Sequence, residues 1–83
     1  MRLFADPPPV RLEWHEGELR SVKVADRRWT VVEVVRRWRV EAEWWDRGGI
    51  ARDYLTLRTA DGTLCEIFGD RHSRQWYLQR LFD

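Results

Sequence analysis

The 83-residue chain carries fifteen Lys and Arg against fourteen Asp and Glu, a formal net charge of +1, so its overall field does not draw it onto nucleic acid. At this length it is one domain, near the size at which folding buries only about 60% of the unfolded surface, and its core must be dense. Six Trp, two Tyr and three Phe supply that density, since each aromatic buries roughly 150–250 Å². The lone Cys65 excludes an intrachain disulfide framework, and without a long apolar run or signal-like leader a cytoplasmic protein with no membrane contact is expected.

"MRLFADPPP" reads as an extended Pro-rich N-terminal tail, residues 1–9. Pro7, Pro8 and Pro9 donate no backbone hydrogen bonds, so the ordered ladder is expected to begin near Val10 and a single β domain to fill 10–83. In "VRLEWH" Val10, Leu12 and Trp14 alternate with Arg11, Glu13 and His15, the period-two signature of a half-buried strand. Gly17 makes a turn, and "LRSVKV" runs back.

After "ADRR" comes "WTVVEVVRRWRVEAEWW", the longest regular stretch. Its five valines, Thr30 and tryptophans favour the pleated state, and Val31, Val32, Val34 and Val35 make no helical stripe. Trp38, Val40, Ala42 and Trp44 fall on one face and Arg39, Glu41 and Glu43 on the other, whereas both faces are apolar upstream. A bend or bulge near Arg36–Arg37, where the strand passes from a doubly to a singly covered region, accounts for the change. "DRGGI" is a loop, "ARDYLTLRT" a strand, "ADG" a hairpin turn, "TLCEIFG" the return, "DRHSR" a further turn and "QWYLQRLF" the closing strand.

The expected fold is therefore all-β, with strands near 10–15, 18–25, 28–44, 52–59, 63–69 and 75–82 and no helix longer than two turns. Six strands in an antiparallel meander form a small barrel or strongly bent sheet, because an open sheet this small leaves a face and two edges exposed. Trp38, Trp44 and Trp76 are expected in the core, Trp14 and Trp29 partly buried.

Trp44, Trp45, Asp46, Arg52, Asp53, Tyr54, Gly62, Trp76, Tyr77 and Leu78 together resemble the pattern of a small bacterial domain of unknown function. That domain occurs alone and at the C-terminus of ImuB-type proteins, inactive relatives of Y-family DNA polymerases. The likeness to the polymerase-associated version covers roughly residues 38–82, and the stand-alone version extends it to about Pro9. The chain lacks the polymerase-like body and has Leu55 where the pattern has a second aromatic. The resemblance implies a DNA-repair or translesion-synthesis neighbourhood, with polymerase or RecA-like accessory components as protein partners, and it implies no assigned chemistry.

No enzyme is expected. Asp70, His72 and Ser73 share one exposed turn, an arrangement in which sequence neighbours rarely make a triad, and His15, Cys65 and His72 match no zinc spacing. No glycine-rich phosphate loop opens a helix, so no cofactor is expected. The binding readings centre on Trp45, which parity places on the face of Arg39, Glu41 and Glu43. It is either covered by the tail (Phe4 and the prolines) or by a stacked arginine, or it anchors a protein partner. The alternative is a stacking platform for single-stranded nucleic acid, with Arg39, Arg47 and Arg52 on the phosphates. Glu41 and Glu43 would repel a phosphate backbone, which puts the protein partner first. The candidate partner-binding set is Trp45, Arg39, Arg47, Arg52 and Tyr54.

Overall fold

The computed structural model describes residues 1–43 and 48–82, and Trp44, Trp45, Asp46 and Arg47 lie outside the described residues. Among the described residues seven strands run in chain order: β1 (Arg2–Leu3), β2 (Pro9–His15), β3 (Glu18–Val24), β4 (Arg27–Ala42), β5 (Ile50–Thr59), β6 (Leu64–Asp70) and β7 (Gln75–Phe82). All pairings are antiparallel, and β2 to β7 close into a six-stranded barrel because β7 pairs with β6 on one side and β2 on the other. β1 is the extra strand. The tight turns arise from local chemistry: Gly17 and Gly62 sit at φ 82° and 88°, left-handed values that cost glycine nothing. At the β5–β6 turn Asp61 also accepts hydrogen bonds from the Thr59 hydroxyl and the Thr63 N–H, and these donors hold its carboxyl below its ordinary pKa.

Closure occurs where the sequence suggests a bare tail. Pro9 and Val10 pair with Tyr77 and Trp76, the Leu78 N–H donates to Pro8 O, and the Gln75 side chain donates to Val10 O. Ordered pairing also begins ahead of the prolines: Arg2 and Leu3 pair with Leu81 and Arg80, and the Phe4 N–H donates to Gln79 O. From Leu3 to Pro9 the tail advances six residues while β7 moves three, from Arg80 to Tyr77, so Ala5–Pro7 loop outward. A two-residue strand is too short for alternation to signal it.

β4 turns the corner of the barrel. Its first residues, Arg27–Thr30, pair with β3, and from Val31 onward it pairs with β5. Two register shifts lie between Val31 and Glu33 and between Val34 and Arg36. The extra residues are Val32 and Val35, pushed out to 57% and 45% exposure, while Val31 and Val34 keep to the core side. Each valine doublet is thus a bulge; the second adjoins the expected Arg36–Arg37 position and the first lies upstream of it, and there is no doubly covered stretch.

The bulge at Val35 reverses the parity of the rest of β4. Arg37 faces Leu55, on the core side, and Trp38 faces Tyr54, on the outside. Trp38 is therefore not a core residue. The interior is instead Val10, Leu19, Val22, Trp29, Val31, Leu55, Leu57, Cys65, Ile67 and Leu78. Trp29, expected to be partly buried, is only 8% exposed and fills the end of the barrel beside the Asp61–Thr63 turn. Trp14 has the inward parity of Val10 and Leu12 but stands at the rim, where β3 carries an extra residue, and it is 57% exposed.

Trp76 is half-buried and packs against the core from the opposite end, over its cross-strand partner Gly69. A Cβ at Gly69 would lie 2.8 Å from Trp76 Cε2. Gly69→Ala should therefore displace the indole and cost about 1–3 kcal/mol, as overpacking does. Urea denaturation checks this, and an unchanged midpoint would mean that Trp76 yields freely.

Candidate interaction surface

Strand alternation places Arg36, Trp38 and Val40 of β4 on the same outer face as Arg52, Tyr54 and Thr56 of β5, Glu66, Phe68 and Asp70 of β6, and Gln75 and Tyr77 of β7. Along the middle row every strand contributes a ring. Trp38 stacks on Tyr54 with centroids 5.1 Å apart and planes 10° from parallel, Tyr54 lies 5.5 Å from Phe68, and Phe68 lies 5.2 Å from Tyr77. These separations are close to the spacing of neighbouring strands, so the rings stand up from the sheet with their faces turned to one another. Pro9, paired with Tyr77, continues the row onto β2.

Two arginines lie over rings of this row. Arg36 Cζ lies 4.5 Å from the Trp38 ring centroid and Arg52 Cζ 4.3 Å from that of Phe68. Arg52 also donates a 3.2 Å hydrogen bond to the Tyr54 hydroxyl. Phe68 is 4% exposed although it is on the outside of the barrel, sealed by Tyr54, Tyr77 and Arg52. Below this row Arg80 Nε lies 3.1 Å from Glu66 Oε2, but its N–H is not directed at the carboxylate, so the contact is electrostatic rather than hydrogen-bonded. Beyond Tyr77 the Phe4–Pro7 loop and Arg52, Phe68, Asp70 and Gln79 enclose an open cleft of about 410 Å³.

Of the expected site residues, Arg52 and Tyr54 come together on this surface. Arg39 does not: it pairs across β4–β5 with Asp53, Nε to Oδ1 at 2.7 Å, on the opposite face. That hydrogen bond raises the guanidinium pKa above its ordinary value. The same bulge that turned Trp38 outward put Arg39 on the inner side. Trp45 and Arg47, and the question of what covers Trp45, fall outside the described residues. The sequence reading missed Trp38, Phe68, Tyr77 and Arg36 as surface groups. A signal was present, since on three successive strands an aromatic shares parity with polar residues: Tyr54 with Arg52 and Thr56, Phe68 with Glu66 and Asp70, Tyr77 with Gln75 and Gln79.

The other chemistry-bearing residues have structural partners. Asp70 accepts hydrogen bonds from the backbone N–H groups of His72 and Ser73, which shapes the β6–β7 turn. Burial pushes the Cys65 thiol up to about 11, which leaves it protonated and unreactive at neutral pH. Among the described residues no three His, Cys, Asp or Glu side chains converge as a metal site would require. Comparison with family models, with curated proteins and with solved structures finds no match.

Proposed function

We propose that this protein is a non-enzymatic interaction module that binds a protein partner through the outer ring row of β4–β7. The observation that carries this reading is the continuous row Trp38–Tyr54–Phe68–Tyr77 on the side of the sheet away from the core. A barrel of this size is closed by its interior, and its exterior adds three partly exposed rings, Trp38, Tyr54 and Tyr77, set around the sealed Phe68 with Arg36 and Arg52 beside them. Such a surface suits a segment that lays apolar side chains on ring edges and offers carboxylates to the two guanidiniums.

The alternative, a small barrel that binds single-stranded nucleic acid, requires free ring faces on which bases stack. Here the faces of Trp38, Tyr54 and Phe68 are taken up by neighbouring rings and by Arg36 and Arg52. The resemblance to the domain of ImuB-type proteins supplies the neighbourhood: an accessory of DNA repair or translesion synthesis, with the polymerase-like protein or its RecA-like companion as partner, in the cytoplasm.

Titrating the purified protein against each of those two proteins, and against a single-stranded oligonucleotide, at low and moderate salt tests the reading. Binding to one of the proteins is expected with little salt dependence, weakened by Arg52→Ala. An oligonucleotide complex whose log–log salt slope is near −0.7 per phosphate contacted would move the protein to the nucleic-acid class. If neither protein binds, the damage-tolerance neighbourhood is wrong.

A further inference from the structure

β3 covers only the first part of β4. Among the described residues, β4 has no strand on its outer edge beyond Thr30, although it stays paired with β5 through Ala42. Free edges are ordinarily guarded by lysine, proline or bulges. Both β4 bulges lie before Arg36; from Arg36 to Ala42 the register with β5 is unbroken, and the run holds neither lysine nor proline. Its guards are the charges of Arg36, Arg37, Arg39 and Glu41, which disfavour a strand that does not match them and make the edge a template for one that does.

The order of its residues names the strand. Residues 37–43 read Arg-Trp-Arg-Val-Glu-Ala-Glu, a charge pattern that inverts about Val40. We propose that β4 pairs antiparallel with β4 of a second copy, about a two-fold axis through Val40. On one face Arg39 then meets Glu41 of the second copy, a pair made twice about the axis. On the other, Val40 meets Val40, and Trp38 lies opposite the small Ala42. No like charges face each other, and the relation is self-complementary, as a two-fold contact requires.

The existing ion pairs extend this match. Arg39 is held by Asp53 and Glu41 by Arg71, so pairing builds the alternating series Asp53, Arg39, Glu41, Arg71 across the interface. The contact rests on the edge of β4 and not on the function proposed for the ring row, which stays on the outer face.

Sedimentation velocity of the full chain from about 1 to 200 µM tests it, since a short edge contact buries little area and should be weak. The parent is expected to pass from monomer to dimer. Arg39→Glu and Glu41→Arg should each weaken dimerisation tenfold or more, about the effect of setting like charges opposite each other. An equimolar mixture of the two should restore the dimer, because each variant then offers what the other lacks. Val40→Lys places like charges on the axis while leaving both intrachain ion pairs intact, and should also be monomeric with a native circular dichroism spectrum. A parent that stays monomeric throughout, a dimer that survives Val40→Lys, or folded charge variants that fail to pair on mixing would overturn the proposal.

Discussion

Trp29→Ala should unfold the domain or leave it close to unfolding. The indole is 8% exposed, lies opposite the fully buried Val22, and belongs to the same cluster as Leu57 and Ile67. Truncating a buried tryptophan removes its transfer free energy and leaves a cavity that closed strands cannot collapse into, a loss of about 3–5 kcal/mol. A small domain has about 5–15 kcal/mol in total. The shift should appear as a large drop in the urea midpoint, whereas Trp14→Ala, at the rim and mostly exposed, should change stability by no more than about 0.5 kcal/mol. Equal effects of the two substitutions would show that the barrel end is not where the core is held.

Phe68→Ala should cost about 3 kcal/mol, near the value for a core phenylalanine, although Phe68 is on the outside of the barrel. Its ring contacts Tyr54 and Tyr77, and Arg52 lies over its face. Aromatic pairs add roughly 0.5–1.5 kcal/mol beyond area alone, and removing Phe68 breaks two, the tilted pair with Tyr54 and the stacked pair with Tyr77. Trp38 ends the row and, among the described rings, touches only Tyr54, so Trp38→Ala should cost about 1 kcal/mol. Thermal and urea denaturation of both variants measures the difference. If Phe68→Ala melts like the parent, the rings are independent surface residues and not a packed row.

Most of the fold was legible because its determinants are local. Period-two alternation and the turns at Gly17 and Gly62 place each of the six barrel strands within two residues of the observed bounds. The features set by strand pairing were not legible. Val31–Val32 and Val34–Val35 read as a strand covered on both faces, because sequence does not distinguish a bulged valine from a buried one; only the register with β5 does. That single ambiguity inverted the face of every later residue in β4. It moved Trp38 from the core to the surface and Arg39 from the surface row to the Asp53 pair. β1 was missed for a different reason, since two residues carry no period and are ordered by the edge that β7 offers.

The measurement that bears most directly on the ring row as a docking surface sets Trp38 against Trp14. Trp14 is the more exposed indole and borders two hollows at the rim, so it is the natural rival as a recognition residue. Both substitutions should leave the barrel folded, which circular dichroism verifies. Each variant is then titrated with the polymerase-like and RecA-like proteins under the conditions used for the parent. Trp38→Ala should weaken binding by about 2 kcal/mol or more, roughly thirtyfold, as loss of a hot-spot ring does, while Trp14→Ala should bind like the parent. Full affinity in Trp38→Ala with a comparable loss in Trp14→Ala would contradict the account and place recognition at the rim.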